Sequence, residues 1–134
     1  MRLFLLTVSM VTFAAGARAG DCDNAMDQNT MNACAEDAYR KSDAELNAVY
    51  KQLQSRSKGE PQTNKLLSAA ERAWLAFRDA ECTYSAAGNE GGSLYPSIYF
   101  GCLGQLTKTR TAELNRYLQC PEGDVACSAP PAGK

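Results

Sequence analysis

Residues 30–58, TMNACAEDAYRKSDAELNAVYKQLQSRSK, decide the fold. Met31, Ala35, Ala38, Ser42, Leu46, Val49, Tyr50 and Leu53 recur at steps of three and four, which brings their side chains onto one stripe of an α-helix. No proline interrupts the run. Asn29 or Thr30 is placed to cap the helix, with Asp27 near enough to favour its exposed amides. The stretch Ser57-Lys58-Gly59-Glu60-Pro61 ends it, because glycine closes a helix and proline is tolerated at the start of the next. One amphipathic helix cannot bury its own stripe, so the rest of the chain must cover it.

Downstream, a second helix is predicted over roughly residues 63–87. Leu66, Ala70, Ala73, Trp74, Phe77 and Tyr84 form its apolar face, and Glu71, Arg72 and Asp79 turn toward water. Gly88, Asn89, Gly91, Gly92 and Ser93 supply the turn that follows. Pro96 opens a third helix or sits just before it, and Ile98, Leu103, Leu106, Leu114, Tyr117 and Leu118 carry the apolar pattern to the Cys120-Pro121 boundary. Gly101 and Gly104 each weaken that helix by about 1 kcal/mol relative to alanine. Either they admit a neighbouring helix closely, or the helix begins later. There is no β-rich run and no internal repeat. The expected fold is all-α, a small antiparallel three-helix bundle with three disulfides.

Short connections make consecutive helices antiparallel neighbours. The start of the first helix, the end of the second and the start of the third then meet at one end, where Cys34, Cys82 and Cys102 fall, with Cys22 just upstream. Cys120 lies at the other end, within reach of Cys127. Of the fifteen pairings six cysteines allow, this order favours Cys22–Cys34, Cys82–Cys102 and Cys120–Cys127.

The chain has 134 residues, enough for one compact domain. Arg2, the apolar run Leu3–Ala15 and the small-residue end Ala17-Arg18-Ala19 read as a cleaved export signal over residues 1–19, with Ala15-Gly16-Ala17 as a lesser cleavage end. A disulfide-stapled helical domain over residues 20–120 and an irregular tail over residues 121–134 complete the organisation. Cys22 lacks the preceding pattern of a lipid-attachment site, so soluble export, periplasmic or secreted, is expected without stable membrane insertion. Removing Arg2 and Arg18 takes the 14 basic residues to 12 against 15 acidic ones, a net charge of −3. That balance excludes a strongly basic nucleic-acid surface. It leaves room for a cationic protein partner.

The sequence contains no histidine, which removes histidine-based catalysis and histidine-ligated zinc. No nucleophile has a base at useful spacing, Gly88–Ser93 lacks the elements of a phosphate loop, and six cysteines in an oxidising compartment are simpler as disulfides than as a metal cluster. The expectation is a protein that is not an enzyme and needs no cofactor or metal. Asp43, Asn47, Arg78, Glu81 and Arg110 lie on or beside inner helix faces, where a guanidinium fork and its acceptors form an interhelical polar network that fixes register rather than a ligand site. Trp74, Phe77 and Tyr50 read as core or core-edge groups. Tyr95, Tyr99 and Phe100 border the glycine-rich connection with Asn89 and Ser93. They cover the bundle end or form a partner-contact patch.

Asn32-Ala33-Cys34-Ala35, followed by Tyr39, Asp43, Leu46-Asn47 and Tyr50, resembles the opening of the LprI-like lysozyme-inhibitor N-terminal domain, a family of small secreted bacterial proteins. Glu71-Arg72-Ala73-Trp74, with Phe77-Arg78-Asp79 and Cys82, is similar to its central motif. The likeness continues through Gly92-Ser93, Cys102, Thr107, Arg110 and Leu114. Glu71 stands where family members often carry glutamine, and the Cys120–Cys127 tail is additional to the common pattern. The resemblance implies an exported, disulfide-bonded helical domain whose partner is a lysozyme. The alternative is a periplasmic structural or interaction module for another envelope protein or a cell-wall component, also without catalysis. N-terminal sequencing of the exported protein is expected to begin at Gly20; a chain recovered from the bilayer with residues 1–19 attached would overturn the export reading.

Overall fold

The computed structural model describes residues 22–121 and 123–129. The export segment expected over residues 1–19 lies outside them. Three long helices, α1 (Gln28–Arg56), α2 (Pro61–Ala86) and α3 (Tyr95–Leu118), account for most of the described chain, and a single 3-10 turn (Ala87–Asn89) follows α2. There is no β-strand among the described residues.

Each helix begins for a local reason. Asp27, rather than the expected Asn29 or Thr30, caps α1: its carboxylate accepts from the Thr30 amide at 2.9 Å and the Thr30 hydroxyl at 2.6 Å. Those two bonds hold its pKa below the ordinary aspartate value. Proline lies in the first turn of both α2 and α3, where its missing N–H costs no helical bond. The turn before α3 passes through Gly91 at φ 76°, a left-handed conformation that glycine adopts without strain.

α1 and α3 run parallel, with their starts joined by the Asn32 amide donating to the Ser93 carbonyl at 2.9 Å and their ends by Arg56 donating to the Leu118 carbonyl at 2.7 Å. α2 runs antiparallel to both. α1 and α3 share the most extensive contact, and Gly104 explains how they come so close. A Cβ at that position would lie 3.6 Å from the Tyr39 Cα. Of the two readings of Gly101 and Gly104, close approach therefore holds at Gly104, and α3 starts before Ile98 rather than after it.

Leu46, Val49, Leu53, Leu114 and Ala129 form the core cluster, with Tyr50, Leu67, Trp74 and Leu118 packed against it. Ala129 belongs to the segment after Cys120, so that segment contributes an apolar group to the core. Leu103, Cys82 and Ala86 are buried toward the other end. All six cysteines are bridged in the expected pairing, with Cα–Cα separations of 5.7 Å for Cys22–Cys34, 5.5 Å for Cys82–Cys102 and 5.9 Å for Cys120–Cys127.

The orientation of α2 differs from the expected one. Trp74 faces the bundle, but Leu66, Phe77 and Tyr84 are exposed, and Ala70 and Ala73 with them. The buried line of α2 is Glu71, Arg78, Cys82 and Ala86 instead.

The Gly104 contact separates two substitutions. Gly104→Ala meets only ordinary van der Waals distance and gains helix propensity, so it is expected to hold or raise stability by up to about 1 kcal/mol. Gly104→Leu must force α1 and α3 apart and is expected to cost about 1–3 kcal/mol. Thermal unfolding of the two variants checks this.

Candidate functional site

Arg78 is only 5% exposed, near the middle of α2. One terminal nitrogen donates to Asp43 Oδ1 on α1 and to Thr107 Oγ1 on α3, both at 3.3 Å. Its Nε donates to Asp79 Oδ1 at 2.9 Å. The guanidinium carbon lies 5.4 Å from the Tyr39 ring centroid and 5.3 Å from that of Trp74. One side chain thus touches all three helices. Burial opposes its charge, but the bonds to Asp79 and Asp43 and the fields of Tyr39 and Asp79 outweigh burial and keep its pKa above the ordinary arginine value. Burial likewise raises the Tyr39 phenol above its usual range; Arg78 works against that rise, and Asp43 and Asp79 add to it.

Arg110 extends the arrangement along α3. Its Nε donates to Glu71 Oε2 at 3.1 Å and one terminal nitrogen to Glu113 Oε2 at 3.1 Å, while the guanidinium lies 5.9 Å from the Trp74 ring. Tyr39, Arg78, Trp74 and Arg110 therefore alternate ring and cation through the interior. Asn47 sits at the rim, donating to Asp43 Oδ2 at 3.0 Å and to the Asp43 carbonyl at 2.9 Å.

Four of the five residues expected in a polar network, Asp43, Asn47, Arg78 and Arg110, occupy these positions. Glu81 does not: it is exposed, one position off the buried line through Arg78 and Cys82. Glu71, expected toward water, is 7% exposed and supplies the carboxylate that meets Arg110. The available signal was the spacing Glu71, Trp74, Arg78, Cys82, which is as helical as the apolar line beside it. Chemically the cluster is a clasp. Both guanidiniums are engaged by carboxylates and covered by rings. Among the described residues no group of three or more histidine, cysteine, aspartate or glutamate side chains is arranged to hold a metal ion. No helix among them is long and apolar enough to cross a membrane.

A second feature lies where α3 begins. Tyr95 and Tyr99 stack at 5.7 Å between centroids, Tyr99 meets Phe100 edge-on at 5.6 Å, and Phe100 stacks on Tyr39 of α1 at 5.9 Å. All four rings are half-buried. Asn32, Ser97 and Gln28 brace the region: Gln28 Nε2 donates to Asn32 Oδ1 at 2.9 Å and to Ser97 Oγ at 3.1 Å, and Ser97 donates to Asn32 Oδ1. Ser93 takes part through its carbonyl, and the Asn89 carbonyl accepts from the Gly92 amide at 2.9 Å to close the preceding turn. These residues lie together at one end of the bundle, and Tyr39 joins the band from α1 through Phe100, a contact the sequence pattern does not reveal.

Removing the clasp is expected to cost more than removing its exposed rim. Arg78→Ala should destabilise the fold by about 2–5 kcal/mol, since it opens a cavity between Tyr39 and Trp74 and leaves the buried Thr107 hydroxyl without its donor. Asp43→Asn, at a half-exposed position, should cost about 1 kcal/mol or less. Denaturant unfolding measures both, and a wild-type midpoint for Arg78→Ala would remove the clasp from the fold's foundations.

The profile of the family described as "Lysozyme inhibitor LprI" matches residues 21–114. That span holds Asp43, Glu71, Arg78, Thr107 and Arg110 together with the first two disulfides, and it stops before Cys120–Cys127. An uncharacterised protein of Rhizobium meliloti is 35% identical over 113 residues, covering 76% of this chain and 81% of that protein. The uncharacterised protein YecT of Escherichia coli is 31% identical over 108 residues, covering 71% and 67% respectively. Among solved structures, a DUF1311 family protein from Pseudomonas putida matches with a TM-score of 0.62 at 26% identity, over 68% of this chain and 92% of the other. Sequence profile, relatives and architecture agree: the chain belongs to the LprI family.

Proposed function

We propose that this chain is an exported binding protein that inhibits a lysozyme by direct protein–protein contact. The match of residues 21–114 to the LprI family carries the reading. Export fits three disulfides, which persist in oxidising compartments, and the apolar N-terminal segment of the sequence. A net charge of −3 after removal of that segment suits electrostatic steering toward a cationic enzyme.

The contact proposed is the aromatic band of Tyr95, Tyr99 and Phe100, with Asn89 and Ser93 in the turn before it. Half-buried rings on a helix start are rigid anchors that lose little conformational freedom on binding. Here the Cys82–Cys102 and Cys22–Cys34 bridges and the Asn32 bonds hold that end of the bundle in place. The mode of action is occlusion: the inhibitor blocks the enzyme's substrate cleft and performs no chemistry of its own.

The test is lysis of cell-wall substrate by lysozymes of several classes, with and without the mature, disulfide-intact protein. Inhibition of at least one class is expected, and substituting Tyr95 and Tyr99 together by alanine should weaken it about 10–100-fold while circular dichroism shows that the bundle stays folded. Inhibition that survives this double substitution removes the aromatic band from the site. Tight binding to a lysozyme without reduced lysis, or binding only to an envelope component, replaces the inhibitor reading with that of an interaction module.

A further inference from the structure

Charge is divided along the bundle. Asp43 on α1, Arg78 on α2 and Thr107 on α3 meet at one level, which marks its middle. The half where α1 and α3 begin comprises residues 22–42 and 79–106, with seven carboxylates against two cations, Arg40 and Lys41, a net charge of −5. The other half, described over residues 44–77, 108–121 and 123–129, has eight cations against five carboxylates, a net +3. No lysine or arginine falls between Arg78 and Lys108. Two helix starts and one helix end at the acidic pole return only about half a unit charge. The aromatic band thus lies in a field that attracts cations.

At the edge of that band, Glu36, Tyr39, Arg40, Asp43, Asn47 and Phe100 line a shallow cleft of about 440 Å³. The stacked rings of Tyr39 and Phe100 form its apolar wall. Glu36 and Asp43 are its carboxylates, with 37% and 35% of their side chains exposed. We propose that this cleft takes an arginine or lysine side chain of a cationic protein partner, its charged head at Glu36 and Asp43 and its stem against the two rings. The proposal rests on the reading of the aromatic band as the contact surface, and it adds the chemistry that the surface recognises. Arg40 already shows how the cleft meets a guanidinium: its Nε donates to Glu36 Oε1 at 3.0 Å. That resident is weakly held. It keeps 70% of its side chain in water and engages one carboxylate from the next turn of the same helix, a kind of pair worth little. An incoming cation gains what Arg40 lacks, a second carboxylate and an apolar wall for its methylene stem. Asp43 is preorganised for it, since Arg78 donates to Oδ1 and Asn47 to Oδ2 while each oxygen retains a further lone pair.

Titration of the mature, disulfide-intact chain with a hexa-arginine peptide at low ionic strength, followed by amide NMR signals, tests the cleft without any lysozyme. Signals around Tyr39 and Phe100 should shift to saturation, and those of the Gly59–Pro61 corner should stay in place. Arg40→Ala removes the resident cation and should tighten binding about 3–10-fold. Lys65→Ala changes the net charge equally, in the other half, and should leave the affinity as it is. Glu36→Lys should weaken binding by at least about tenfold. Circular dichroism of all three variants should match wild type, because none of these side chains is buried. Shifts spread over both halves, equal effects of Lys65→Ala and Arg40→Ala, or wild-type affinity in Glu36→Lys each overturns the proposal. The same variants in the lysis assay keep the two readings apart. Peptide binding at the cleft with no lysozyme inhibited supports the cleft and removes the inhibitor. Inhibition unchanged by both Arg40→Ala and Glu36→Lys keeps the inhibitor and overturns the cleft.

Discussion

One buried cation ties the three helices together. Arg78 reaches an acceptor on α1 and an acceptor on α3 from its place on α2, and two aromatic rings cover the charge. Burying a guanidinium without partners would cost more than a small domain can bear. The positions of Asp43, Asp79, Thr107, Tyr39 and Trp74 are therefore coupled: each satisfies part of one group. An apolar residue could fill the same space, but it would accept several rotations of α2. A guanidinium with directed donors accepts far fewer, and helix register follows from that.

That constraint also shows which parts of the fold could be read from the sequence. α1 was legible because its stripe from Leu46 to Leu53 is apolar and really is the core face. The disulfides were legible because helix order alone brings Cys34, Cys82 and Cys102 to one end. α2 was legible in extent and misread in rotation. Hydropathy favours Leu66, Phe77 and Tyr84 for the interior and sends Glu71 out, since an isolated charge is expensive to bury. It cannot see that Glu71 and Arg78 are paid for by partners 39 and 35 residues away on other helices. The same blindness put Glu81 into the network in place of Glu71. Tyr39 escaped notice as part of the aromatic band because its ring partner, Phe100, is on α3 and only the closeness of α1 and α3 at Gly104 brings them together.

The two kinds of packing divide the labour within the bundle. α1 and α3 meet at backbone distance through a glycine, so their relation is fixed by shape. α2 stands on long side chains, namely Trp74, Arg78 and the Tyr50 hydroxyl paired with Ser68, so its relation is fixed by directed polar contacts. The surface follows the same division. The aromatic band straddles the tightly packed pair, where rings from both helices are held in one arrangement, and the outward face of α2 carries Leu66, Phe77 and Tyr84 into solvent.

The bridges are distributed unevenly along the bundle. Cys22–Cys34 and Cys82–Cys102 secure the end where α3 begins, and Cys120–Cys127 closes the tail upon the end of α3, but no bridge joins the beginning of α2 to its neighbours. There the hold is the Asn64 amide on the carbonyls of Ser57 and Gln54. Local opening thus has a preferred direction: the Gly59–Pro61 corner loosens first and the first turns of α2 peel from it, while the opposite pole keeps its shape. A protease would therefore find its first cut at that corner, and the pole where α3 begins would hold its shape longest.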